Sequence, residues 1–208
     1  MYINFCVDNG FRERANMLDS EGKKQEDEQK FNCTIVAGNV SISNVGDFLS
    51  GLNAIAHKYA VTIQAMNAEL LAGEEHIQSA VKKAIRALKR ERGITSDLGL
   101  EILLYAAGRR QIERALGMGV TEGKKSVAII IVDERGEKDL EVVAEEVKRK
   151  TGIEEVSLRE LESELSNSNK KEKIKEFFAI TGDELQAVGE EKLKMLVLER
   201  VALLDVLK

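Results

Sequence analysis

Lys82, Lys83, Arg86, Lys89 and Arg90 crowd the segment EHIQSAVKKAIRALKRER. At about 100° per residue they fall within an arc of roughly 120° on a single helix. Ile77, Val81, Ala84, Ile85 and Leu88 take the opposite arc. A concentrated cationic face is chemistry for phosphate. Its cations displace the counterions condensed on a nucleic acid and hold the backbone oxygens through charge-assisted hydrogen bonds. His76 projects near Lys83's side and would extend the face toward the helix N-terminus. A plainer reading fits the same residues: a solvated helix face whose cations gather at the C-terminal end, where the helix dipole favours them. Spacing alone leaves both open.

A second cluster interrupts an apolar run. LEILLYAA (Leu100 to Ala107) leads into GRRQIERAL (Gly108 to Leu116). Leu98, Ile102, Tyr105, Ile112 and Leu116 share helical spacing, which predicts one helix over 96–116 with a kink or a close backbone approach at Gly108. On a structural reading Arg109 and Arg110 pair with acids such as Glu113 or Glu101.

Other chemistry finds little support. The chain has no P-loop, GxGxxG, GxSxG or HExxH signature, and its histidines are His57 and His76. No catalytic residue, metal site or cofactor is predicted, and the chain is not expected to be an enzyme. Cys6 and Cys33 lie in apolar, strand-like runs without a CxxC partner and read as core thiols. A net charge of −5 argues against strong nonspecific nucleic-acid binding, though not against a local basic face. No apolar run approaches the ~20 residues that span a bilayer. The N-terminal residues lack the basic-then-apolar order of a secretory signal, so a cytoplasmic protein with no membrane contact is expected.

The C-terminal segment KLKMLVLERVALLDVLK (Lys192 to Lys208) is apolar around most of a helical circumference, whereas a surface helix carries one stripe. Either it is central to the core or it is sandwiched between the core and a partner. Leu193, Leu196, Val197, Val201 and Leu204 are the predicted partner-binding residues on the second reading.

These segments must be positioned by a scaffold, and the rest of the chain predicts one. Strands are expected at Tyr2–Val7, Phe31–Gly38, Ala60–Met66 and Ser126–Asp133, the last buried on both faces. Ser43 or Asn44 caps a helix to Tyr59. Strand, helix and strand in succession suggest a crossover unit. Further helices are predicted over 73–92, 137–150, 154–165, 172–180 and 183–208, with a turn at 166–171. Thr181 and Glu184 have capping-box spacing. The expected fold class is α/β (mixed α+β): one small mixed β-sheet packed with several helices and a helical C-terminus. A single domain over 1–208 is expected, with a charged loop at 8–30 and a partner-docking helical segment at 170–208.

One resemblance gathers these features. Ala72, Gly73 and His76 make an AGxxH helix start. Glu101, Ile102, Leu103, Tyr105, Ala107, Gly108, Arg110, Gln111 and Ile112 follow an ELLxYxxGxRQI-like pattern, and the strand Val127 to Val132 comes after it. This arrangement resembles the small regulatory subunit of the KEOPS (EKC) complex, the PRPK-binding-protein family, and VLERVALLDV is similar to archaeal members. The likeness runs over residues 31–133 and the C-terminal helices. It implies a non-catalytic subunit that binds and stimulates the kinase-like ATPase subunit of KEOPS through a hydrophobic helical surface. It also implies help in recruiting tRNA by its 3′ CCA end for threonylcarbamoyladenosine modification, with the chemistry on the Kae-type catalytic subunit of the same complex. On that reading the terminal helix docks the kinase-like subunit. His76, Lys82, Lys83, Arg86, Lys89, Arg90 and Arg109 meet tRNA, Gly108 is structural, and Gln111 anchors backbone. Two alternatives stand beside it: a purely structural heteromer subunit without RNA contact, and a small RNA-modifying or hydrolytic enzyme that turns over without partners.

Overall fold

Ile129, Ile130 and Ile131 are all fully buried, so the run SVAIIIVD lies inside a sheet with both faces covered. Successive side chains of a strand point to opposite faces, and each face here has its own core. Val127, Ile129 and Ile131 pack with Leu52, Ile55, Val143 and Val147, while Ala128, Ile130 and Val132 pack with Ile77, Val81, Ile102 and Val197. Each such isoleucine contributes about 1.5–3 kcal/mol by leaving water.

The computed structural model of the chain describes residues 5–6, 31–158, 160 and 168–206. Strand β4 (Gly123–Asp133) pairs antiparallel with β2 (Asn32–Ile42) on one side and β3 (Thr62–Asn67) on the other. Strand β1 (Phe5–Cys6) pairs with the start of β2, and β5 (Glu154–Glu155) with its middle. Helix α1 (Val45–Tyr59) connects β2 to β3. The expected strand–helix–strand unit is therefore present but split, because β4 lies between its two strands and every pairing is antiparallel. Helices α1 and α5 (Leu140–Thr151) cover one face. Helices α2 (Glu74–Lys89), α3 (Leu98–Ala107), α6 (Ser168–Phe178), α7 (Gly182–Val188) and α8 (Leu193–Leu203) cover the other. The mixed α/β class with a helical C-terminus is thus the observed one.

Local signals placed several helix ends correctly. The Asn44 side chain accepts from the Asp47 N–H at 2.9 Å, and Thr181 and Glu184 form the reciprocal capping box. Four expectations need correction, one being the single helix over 183–208, which breaks at Gly189 into α7 and α8. Glu154–Glu155 pair as a strand rather than opening a helix. Ser168 to Lys171 belong to α6, not to a turn. The single helix over 96–116 is two: α3 stops at Ala107 and a short α4 (Ile112–Ala115) follows. The charged stretch at 8–30 and residues 161–167 lie outside the described residues, as does most of the expected first strand. Among the described residues no helix is long and apolar enough to cross a membrane.

Gly108 ends α3 instead of kinking it. Its φ of 59° is left-handed, its N–H bonds to the Tyr105 carbonyl at 3.0 Å, and the Arg109 N–H reaches Leu104 at 3.1 Å. Those two bonds make a Schellman cap. A Cβ at Gly108 would also stand 3.2 Å from the Cβ of Arg200 on α8. Gly108→Ala is expected to lower stability by about 1–2 kcal/mol from the left-handed backbone alone. Urea denaturation checks this; an unchanged midpoint removes the cap argument.

Candidate functional site

The basic face of α2 divides into parts with different surroundings. Lys82, Arg86, Lys89 and Arg90 are exposed and Lys83 is half-buried. Arg86 and Arg90 line an open cavity of about 720 Å³, where Arg92 and Arg110 join them with Tyr105 and Asp205. Lys82, one turn earlier on the helix, instead lines a small apolar crevice with Phe31 and Cys33. Lys89 does not line the cavity.

Four segments build this cavity, one of them the end of α3 with the turn after it, which supplies Tyr105 and Arg110. Helix α2 supplies Arg86, and the loop after it carries Arg90 and Arg92. That loop turns at Glu91, whose φ of 54° is left-handed. Glu101, fully buried on α3, holds the loop by accepting the Ile94 and Thr95 N–H groups at 3.0 and 3.1 Å. It thus serves the loop backbone. The last segment is the turn after α8, which brings Asp205 against the cations. Arg86 Nη2 lies 2.5 Å and Lys83 Nζ 3.3 Å from Asp205 Oδ2, and the Tyr105 hydroxyl donates to the other oxygen. Burial works against the charge on Asp205. The Tyr105 and Lys83 hydrogen bonds and the nearby cations outweigh it and hold the carboxyl below its ordinary value. Tyr105 is pushed up, first by desolvation and then by its bond to the Asp205 carboxylate.

Two residues expected on the cationic surface sit elsewhere. His76 is fully buried, so it does not extend the face. Its Nδ1 accepts the Ala72 N–H at 3.1 Å, which leaves Nε2 to donate to the Ala106 carbonyl at 2.8 Å. The ring ties the start of α2 to the end of α3. Burial outweighs the bond to Ala106 and pushes its pKa down to about 4. Arg109 is half-buried and donates to the Phe177 carbonyl at 2.7 Å, stapling the turn after α3 to α6. Arg110, its neighbour, points the other way into the cavity. Gln111 stands at the start of α4 and its carbonyl receives the first helical N–H groups, while its side chain makes no cap bond. Arg92 and Asp205 lie outside the helical spacing that picks out the α2 cations, and of the neighbouring pair Arg110, not the expected Arg109, lines the cavity.

The terminal helix corrects the expected docking residues. Leu193, Leu196, Val197, Val201 and Leu204 are all buried in the chain's own core, with Val197 and Val201 at 0% exposure. They pack with residues of α2, α3 and α6 and cannot face a partner in the folded chain. The outer side carries the uncovered apolar groups: Met195 is 62%, Leu203 39% and Val206 77% exposed. Ala202 beside them is exposed and Leu198 is half-buried. The helix is therefore central on one side and open on the other.

The family model for the kinase binding protein CGI-121 matches residues 23–205. No curated protein matches the chain.

Proposed function

The chain belongs to the CGI-121 family of kinase binding proteins, and from that premise we propose that it is a non-catalytic, cytoplasmic subunit of a KEOPS-type complex. It binds and stimulates the kinase-like ATPase subunit, which links it to the Kae-type catalytic subunit. It also helps recruit tRNA by the 3′ CCA end for threonylcarbamoyladenosine modification. The observation that carries the kinase contact is the outer side of α8. Met195 and Leu203 on the helix and Val206 in the turn after it are left exposed around Glu199, while the inner side of the helix already completes a core. Exposed apolar side chains grouped on one side of a helix are what partner helices cover. The tRNA contact is supported by the cavity where Arg86, Arg90, Arg92 and Arg110 converge, since guanidinium groups pair bidentately with phosphate oxygens. On this reading His76 and Arg109 act on RNA only by holding the helices that shape the site.

A second reading, a structural subunit without RNA contact, draws on one observation: Arg86 and Lys83 already pair with Asp205. A mobility shift of the full chain with intact tRNA, and with the same tRNA lacking CCA, separates the two at two salt concentrations. The expected result is a shift lost with the CCA end. Arg90→Glu with Arg92→Glu should weaken it roughly tenfold or more and flatten its salt dependence. Equal shifts would end the CCA-specific reading, and no shift at all would end the tRNA reading; either outcome leaves kinase binding standing.

A further inference from the structure

Arg86, Arg90, Arg92 and Arg110 line the cavity, and among the described residues that line it Asp205 supplies the carboxylate. A surface carboxylate that only balanced charge would suffice with one cation nearby. Asp205 instead takes contacts from Arg86, Lys83 and Tyr105, two of them on the oxygen nearest the cations. A carboxylate offers an arginine fork a pair of acceptor oxygens, as a phosphodiester does. One of the four cavity arginines, Arg86, is thus already engaged, together with Lys83 beside it, by an acidic side chain of the same polypeptide.

We infer that Asp205 is a built-in competitor for the anion subsite of this cavity: its carboxylate occupies Arg86 and Lys83 where phosphate oxygens would bind, and must release them when a phosphate-bearing ligand enters. The inference rests on the reading of the cavity as an anion site and adds how that site is regulated. The turn that carries Asp205 suits such a role. It lies past the end of α8 and is closed by the Asp205 N–H to Ala202 at 3.2 Å and the Val206 N–H to Leu203 at 3.0 Å. Leu204 is buried and anchors one side of Asp205, while Val206 on the other side is 77% exposed. The carboxylate can withdraw by a local change of this turn, without unpacking α8. While it stays, it repels any second anion. The isolated subunit then binds polyanions weakly and favours a ligand that makes further contacts with Arg90, Arg92 and Arg110.

The test uses the full chain and inorganic tripolyphosphate, titrated calorimetrically at low salt. Asp205→Asn keeps an acceptor for Tyr105 and removes the charge. It is expected to bind tripolyphosphate about tenfold more tightly than the unmodified chain, the loss of one charged hydrogen-bond competitor. Adding Arg86→Gln should erase that gain. Tyr105→Phe, which removes one tether of the carboxylate, should tighten binding by a smaller factor and decides the matter if Asp205→Asn fails to fold. A folded Asp205→Asn chain that binds no tighter, or a failure of every variant to bind, overturns the inference. Tighter tripolyphosphate binding in a chain that never shifts tRNA would instead sink the tRNA reading and leave this one intact. A tRNA shift with no effect of Asp205→Asn would do the reverse.

Discussion

Met195→Glu combined with Leu203→Glu should weaken binding of the kinase-like subunit by at least about a hundredfold, because two unpaired carboxylates would have to be buried in an apolar contact. The folded chain should barely notice. Both side chains already meet solvent, at 62% and 39% exposure, and exposed substitutions usually stay within about 0.5 kcal/mol. The contrast with the inner side is what makes the test decisive. Val197→Glu with Val201→Glu would place two carboxylates at positions of 0% exposure, against α2 and α3. That variant should unfold, so its loss of binding would say nothing about an interface. The check is calorimetric titration against the purified kinase-like subunit, with a thermal melt of each variant. Wild-type affinity in a folded Met195→Glu, Leu203→Glu chain would remove the outer side of α8 from the interface.

The difference between those two variants marks where the sequence stops being readable. Helical spacing assigns angles around α8 but not which apolar arc the chain will cover with its own residues. That is decided by α2, α3 and α6, which lie far away in sequence. The same limit hid the cavity: Arg86 and Asp205 are 119 positions apart, and no periodicity connects them. Signals confined to one element fared better. The isoleucine run predicted a doubly covered strand, and burial agrees. Asn44 and the Thr181–Glu184 pair announced helix starts because caps depend on residues three apart. Gly108 shows an intermediate case. A glycine within a helix and one just past its end look alike in sequence until the backbone is known. The stop at Gly108 explains the polar residues that follow, since Arg109 and Arg110 no longer share a helix with Tyr105 and can point in opposite directions. The resemblance supplied what spacing could not. The family match over residues 23–205 extends it beyond the motif-bearing segments to most of the chain.

His76 carries the second large effect, and it concerns stability, not a surface. Both ring nitrogens are committed only when the ring is neutral, because Nδ1 must accept the Ala72 N–H while Nε2 donates to Ala106. Phe178 packs edge-on with ring centroids 5.7 Å apart, and the fully buried imidazole has no exposure to solvent that could stabilise a charge. With the folded value near 4, against an ordinary value of 6.5, the unfolded chain takes up the proton first as pH falls. The stabilisation is therefore complete above about pH 6.5 and is lost on the way down to about pH 4, by an amount on the order of 3 kcal/mol. Asp205, Asp133 and Glu184 also have lowered values, but ordinary carboxylates titrate near and below pH 4, so their losses come at the acid end of this window and beyond. Urea denaturation of the unmodified chain should show stability falling between pH 6.5 and 4.5. His76→Gln should start from a lower plateau at pH 7, because a buried hydrogen-bond pair is disturbed, and should lose most of that slope. Parallel pH dependence in the two chains would mean that the ring is not what acid attacks. The joint between α2 and α3 would then have to be held by the Glu101 loop contacts instead.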